Sequence, residues 1–188
     1  MDRFFRQQLA AYADHHRDPR NCTAHFIGIP LLFLATILPF ALWHIELAGV
    51  TLTMAPLMTA IGVVGWLVID RFIGLAMIVA VTPFVALAQW FAFRFGAVAV
   101  GSTVVALVAV GAACLAAGHA LFERRRPALA DNIFQAFIGP MFFVAKILVA
   151  LGFRRDLAAA LDGHGEGVAA DAHLELTAQS PSGHSKRS

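Results

Sequence analysis

Uncharged apolar runs alternate with short polar punctuation along most of this chain. Residues 26–43, 54–69, 72–93 and 95–118 carry no formal charge, and Asp70-Arg71 and Arg94 separate the later ones. Each run approaches the roughly 20 residues that cross a hydrocarbon core. The pattern predicts an all-α, polytopic membrane protein with about four transmembrane helices. A fifth apolar run, 133–153, contains Gly139-Pro140 and a central Lys146. A lysine at that depth costs about 2.5–3.5 kcal/mol on insertion scales, so this run is expected to be an interfacial or re-entrant helical hairpin. Residues 2–25 are polar and rich in Arg and His. Phe4, Phe5, Leu9 and Tyr12 have partial helical periodicity, which predicts a short amphipathic helix on the membrane surface. Asp18-Pro19-Arg20-Asn21 reads as a turn, and 44–53 as a loop. Residues 156–188 are rich in Gly, Ser, Ala and His without periodicity, which predicts a disordered tail behind an integral membrane domain of residues 1–155.

Composition agrees with this division. Hydrophobic residues make up 59 % and charged residues 14 %, against a soluble norm of about 45–50 % and 25 %. A water-soluble globule of 188 residues is excluded on that ground. The formal net charge is only +2, so nothing points to nucleic acid as a partner; membrane lipids are the expected surroundings. Cys22 and Cys114 lie near an interface and inside an apolar run, which argues against a disulfide. With a cytoplasmic N-terminus and four crossings, Arg3, Arg6, Arg17, Arg20, Arg71, Arg124, Arg125, Arg126, Arg154 and Arg155 fall inside and only Arg94 outside. Both termini are then cytoplasmic, at a bacterial-type inner membrane or, in a eukaryote, the endoplasmic reticulum.

An even number of crossings brings the start of the first helix and the end of the fourth to one membrane face. His16, Asn21, His25 and His119 can therefore converge. Glu123 lies one turn beyond His119, on the same face if the helix continues. Imidazoles are the commonest metal ligands, and two or three of them with a carboxylate suit non-haem Fe(II), Zn or Mn. The plainer alternatives stand beside this. Interfacial histidines solvate themselves or contact lipid phosphates, and Glu123 can pair with one of the three arginines that follow it. Arg124 to Arg126 can bind lipid phosphate. Asn21 and Asp131-Asn132 read best as helix caps. Tyr12 is either an interfacial tyrosine or a hydrogen-bonding group near a metal.

Two blocks at opposite ends of the apolar core carry a resemblance. Tyr12-x3-His16-x4-Asn21-x3-His25-x2-Gly28-x-Pro30 is followed far downstream by Gly118-His119-x2-Phe122-Glu123-x3-Pro127-Ala128-Leu129-x-Asp131-Asn132. Together they resemble a family of small membrane proteins whose characterised fungal member is a 2-hydroxy fatty acid dioxygenase. The likeness covers about residues 1–155 and includes Leu151-Gly152-Phe153-Arg154. It implies an Fe(II)- and O2-dependent enzyme that shortens 2-hydroxy fatty acids by one carbon (alpha-oxidation). It implies His16, His25 and His119 as the metal-binding residues, and His16 rather than His15 because of the spacing to Asn21. Glu123 then becomes a further ligand or the acceptor that orients one, Asn21 a supporting group at the cofactor, and Tyr12 a group beside the reaction. Family members can carry a carboxylate in the last apolar segment, where this chain has Lys146.

Competing classes make different demands. A non-enzymatic membrane scaffold or lipid-binding protein requires no stoichiometric metal. A transporter requires ionisable groups along a path through the membrane, and Asp70 and Lys146 are the sole candidates. A zinc hydrolase of the commonest type requires His-Glu-x-x-His, which is absent from the sequence. His44, His164, His173 and His184 fall outside the two blocks.

Overall fold

The computed structural model describes residues 3–123 and 134–162, and within them the chain is mostly helical. Helix α1, Arg3–Asp14, is amphipathic. Phe5, Leu9, Tyr12 and Ala13 are buried on one face while Phe4 stays exposed. Its buried face meets Ile138, Met141 and Phe142 of the last long helix in one apolar cluster.

Helix α2, Pro19–Ile37, starts where the sequence reads as a turn. The Asp18 carboxylate accepts the Arg20 N–H at 2.7 Å. Pro19 takes the first helical position, where a missing N–H costs nothing. The polar residues before Phe26 are therefore helical, and His25 sits well inside α2 rather than before it. Asn21 is not a cap: it lies buried within the helix, and Asp18 holds that role. Asp131 and Asn132 lie outside the described residues, as do Arg124–Arg126.

A 3-10 turn, Pro39–Leu42, leads into an antiparallel hairpin, β1 His44–Leu47 and β2 Val50–Thr53. The expected loop is thus ordered. Leu47 pairs with Val50 across Ala48-Gly49, which have φ of 52° and 80°. Positive φ at both central residues gives the tight turn whose twist matches the flanking strands. Thr53 then leads directly into α3, Met54–Ile69. Helix α4, Arg71–Ala117, follows after Asp70, whose carboxylate caps it through the Ile73 N–H at 2.9 Å.

Helix α4 is two rods in series. Gly96 has φ 73° and ψ −175°, a conformation that suits only glycine, two residues beyond Arg94. Past Ala117 the backbone widens into a π-helical turn, Gly118–Glu123. Helices α2 and α4 approach closely. A Cβ on Gly28 would run into the Leu115 side chain and come within 2.9 Å of the Gly111 carbonyl, so glycine lets the two backbones touch. Two stretches, Pro19–Leu42 and Arg71–Glu123, are long and apolar enough to cross a bilayer, while α3 is a shorter apolar helix.

Helix α5, Phe134–Ala150, is one continuous helix and not a hairpin, with Pro140 accommodated inside it. Lys146 Nζ lies 3.5 Å from Cys22 Sγ and 5.0 Å from the centre of the Phe142 ring, which gives the cation partners within the protein. The chain turns at Gly152. Arg154 then reaches back to clamp Asp70 through two bonds of 2.9 and 3.1 Å. Residues 156–162, assigned to the tail from the sequence, are folded. A 3-10 turn, Arg155–Leu157, and helix α6, Ala158–Leu161, bury Leu157, Ala160 and Leu161 against the α1 cluster. Residues 163–188 lie outside the described part.

Candidate metal centre

Three separate elements deliver the predicted histidines to one point. His16 stands just after α1, His25 on the inner face of α2, and His119 in the π-helical turn that ends α4. Such turns recur at functional sites, because the inserted residue re-aims a side chain. The three residues are 4 %, 1 % and 3 % exposed. Their candidate ligand atoms all lie within 4.8 Å of one another. The ring centres are 4.4 Å (16 to 25), 4.7 Å (25 to 119) and 5.0 Å (16 to 119) apart, with ring planes steeply crossed.

Backbone carbonyls fix two of the tautomers. His16 Nδ1 lies 2.8 Å from the Tyr12 carbonyl, and His25 Nδ1 lies 3.0 Å from the Asn21 carbonyl. A carbonyl only accepts, so Nδ1 carries the proton in each and Nε2 keeps its lone pair. His16 Nε2 and His119 Nδ1 are buried without a hydrogen-bond partner. Burial pushes the His16 imidazole down to about 3, and its histidine neighbours lower it further against the pull of the Tyr12 carbonyl. It is therefore neutral at physiological pH, as a metal ligand must be. An orphaned buried nitrogen costs about 1–3 kcal/mol. Two such nitrogens in a group of three clustered imidazoles form a donor set that fits a divalent transition metal and leaves coordination positions open.

The predicted partners lie around the cluster and not among its ligand atoms. The Glu123 carboxylate accepts the Asp18 N–H at 2.8 Å and the Asn21 side-chain amide at 3.2 Å. Asn21 also donates to the His15 carbonyl at 3.1 Å. Asn21 thus ties the segment bearing His16, the helix bearing His25 and the turn bearing His119. Tyr12 stacks on His16 with centroids 4.1 Å apart and planes 8° from parallel. Burial, with Cys22 nearby, holds its phenol above the ordinary tyrosine value, so it stays protonated. His15 points elsewhere, with Nδ1 at 3.0 Å from the Ala11 carbonyl. His44 is at the far hairpin.

Further groups support the site. Cys22 Sγ donates to the His16 carbonyl at 3.2 Å. Gly118 leaves the gap that Asn21 fills, since a Cβ there would strike Asn21 Oδ1 and come within 3.2 Å of Ala24 Cβ. The glycine's place immediately before His119 was the available signal. A cavity of about 520 Å³ opens from the histidines and runs between α2, α3, α4 and α5, walled by Leu32, Phe33, Trp66, Leu115 and Phe137. Its lining is almost wholly apolar.

Fold and site together define a small helical-bundle protein in which a buried three-histidine cluster, suited to a metal, heads an apolar cavity. The chain belongs to the 2-hydroxy-palmitic acid dioxygenase Mpo1-like family, whose sequence profile matches residues 3–151. It is also similar to the 2-hydroxy-palmitic acid dioxygenase MPO1 of Saccharomyces cerevisiae, with 25 % identity over 159 residues, covering 84 % of this chain and 87 % of the yeast protein. No solved structure matches it.

Proposed function

We propose that this protein is an Fe(II)- and O2-dependent dioxygenase that shortens 2-hydroxy fatty acids by one carbon. One observation carries the reading. The unpartnered nitrogens of His16 and His119 sit beside His25 at the head of a largely apolar cavity. The family and the yeast relative's name support the substrate class.

His16, His25 and His119 would hold the metal, and the chemistry it supplies when bound is O2 activation. The protein's part is positional. The Tyr12 and Asn21 carbonyls fix the ring orientations of His16 and His25. Glu123, through Asn21 and Asp18, holds the three ligand segments in register. The phenol of Tyr12, packed on His16 and lining the cavity, is a proton donor within reach of a bound acid's polar end. The apolar walls exclude water from the acyl chain. The cavity, about 520 Å³ and lined largely by aliphatic and aromatic side chains, suits an acyl chain.

The membrane arrangement follows the same reading. The break at Gly96 divides the stretch from Arg71 to Glu123 into two rods. With α2 and α3 these make four crossings, and the histidines lie at the cytoplasmic face beside the arginine-rich segments. Residues 1–155 form the catalytic domain, supplemented by the packed turns up to Asp162.

Elemental analysis of detergent-purified protein beside the triple His16/His25/His119→Ala variant tests this. About one iron per chain in the wild type and none in the variant is expected, with oxygen uptake on 2-hydroxyhexadecanoic acid by the wild type alone. Zinc in place of iron would redirect the reading to a hydrolase or a structural site. No metal after anaerobic, iron-replete preparation would leave a lipid-binding scaffold.

A further inference from the structure

A second cavity of about 300 Å³ lies beside the first, between α2, the first rod of α4 and α5. Met77, Val81 and Phe84 form one wall and Phe143 and Val144 the other, and its sole titratable side chain is His25. Phe26 and Ile147 line it as well and are 53 % and 44 % exposed, so it opens outward between apolar helices. His25, Ile29, Phe33 and Pro140 line both cavities, and one layer of side chains divides them. Phe33 is held there edge-on to Phe84, with ring centres 5.9 Å apart. Pro140 removes one backbone hydrogen bond from α5 at the same level, which gives the partition local freedom.

The second cavity is continuous in its lining with the first through four shared residues, yet faces outward where the first faces the histidines. A polar active site would not need it, because the second cavity offers no polar group besides His25. We propose that the second cavity is a doorway through which the aliphatic chain of a fatty acid dissolved in the bilayer passes sideways, between Phe33 and Pro140, to the histidine cavity. This deepens the functional reading given above and rests on it. The physical reason is transfer cost. Every methylene moved from hydrocarbon into water is unfavourable, so a long chain passing through water faces a large barrier. A chain moving from bilayer to doorway to cavity stays in hydrocarbon throughout. The polar end of the acid travels along the membrane surface, where His25 and His16 lie under the proposed topology.

The test uses full-length protein in phosphatidylcholine vesicles with hexadecanoic acid carrying a diazirine at its far end. Photolysis of the wild type is expected to cross-link Met77, Val81 or Phe143, in addition to residues of the first cavity such as Ala112. Ala80→Phe and Val144→Phe fill the doorway from opposite walls. Each is expected to abolish the doorway cross-links and lower kcat/KM at least fivefold for vesicle-borne 2-hydroxyhexadecanoic acid, with metal content unchanged. Absence of doorway cross-links in the wild type, or a smaller fall in both variants, would overturn the proposal. Photolabelling needs no turnover. A wild type that labels at the doorway but oxidises no 2-hydroxy acid would defeat the functional reading and leave the doorway standing.

Discussion

At the histidine end of the bundle, the layer between α2 and the end of α4 is built from His25, Asn21, Gly28, Gly111, Gly118 and His119. At the hairpin end, the corresponding layer is Ile37, Leu38, Ala41, Ala55, Ala88, Ala92 and Val100. The hairpin end resembles an ordinary apolar core, and its buried Thr59 is satisfied by the Ala55 carbonyl at 2.9 Å. The histidine end concentrates buried polar groups and leaves some of them without partners. The two ends use the same helices, so propensity does not separate them. Function does: an orphaned buried polar group destabilises a fold, and it is tolerated where a ligand completes it.

The strongest way to break this contrast is to remove a ligand. His16→Ala, His25→Ala and His119→Ala should each abolish iron binding and lower oxygen uptake on 2-hydroxy acids by about 100-fold or more, since each supplies one of the three imidazoles that form the cluster. Retained iron in any one variant takes that residue out of the ligand set.

Acid should strike the same end next. The His16 imidazole titrates near 3 in the fold instead of 6.5. Below about pH 6.5 the unfolded chain takes up a proton that the folded site refuses. Stability is therefore fully present above that pH and falls as the pH drops toward 3, by an amount on the order of a few kcal/mol in metal-free protein. Protons also compete with any bound metal, in the same direction. His16→Phe should flatten this part of the pH–stability curve, measured by denaturation in detergent. An unchanged slope would mean that other groups carry the acid sensitivity.

How much of this was legible in the sequence differs between the ends. The convergence of His16, His25 and His119 is legible because an even number of expected crossings brings the two helix ends that carry them to the same side. The sequence suggests a cap at Asn21 because Asp18-Pro19 beside it looks like a turn. Distinguishing a turn from a helix start there depends on Pro19 standing at the first helical position, which a local pattern leaves ambiguous. The hairpin at the other end reads as a loop in the sequence, although β-branched Val50, Thr51 and Thr53 follow Gly49 closely. Alternation over four residues is too short to compete with the apolar runs around it. The π-helical turn at Gly118–Glu123 has no local signature, because it depends on Asn21 filling the space beside Gly118. Lys146 was read through its cost in lipid, and its ring and thiol partners come from two different helices.

Asn21→Ala sharpens the contrast from inside the polar layer. It removes the amide that joins Glu123 to the His15 carbonyl while leaving all three imidazoles in place. Metal affinity should fall about 10- to 100-fold, as is typical when a group supporting ligands is lost, and excess metal should restore activity. A loss that excess metal fails to restore would place Asn21 in the reaction itself.

Glycines offer a milder comparison. Gly28→Ala forces α2 and α4 apart where backbone meets backbone, and overpacking of this kind costs about 1–3 kcal/mol. Gly62, in α3, has nothing within 4 Å of where a Cβ would stand. Gly62→Ala should therefore be neutral or stabilising by up to about 1 kcal/mol through helix propensity. Thermal unfolding of the two variants in one detergent reads the difference directly.

The smallest expected effect lies next door to the largest. His15 and His16 are adjacent, and both direct Nδ1 toward a carbonyl four residues back, Ala11 and Tyr12 respectively. Their rings nonetheless point to opposite fates, because consecutive residues at the end of a helix lie about 100° apart around its axis. That rotation places His16 against His25 and His119 and leaves His15 outside the cluster. What His15 gives the site is its backbone carbonyl, which accepts from Asn21, and alanine keeps that carbonyl. His15→Ala should therefore change iron content and turnover less than twofold and stability by no more than about 0.5 kcal/mol. A loss comparable to that of His16→Ala would mean that the end of α1 is rotated by one residue in the metal-bound protein, with His15 as the true ligand.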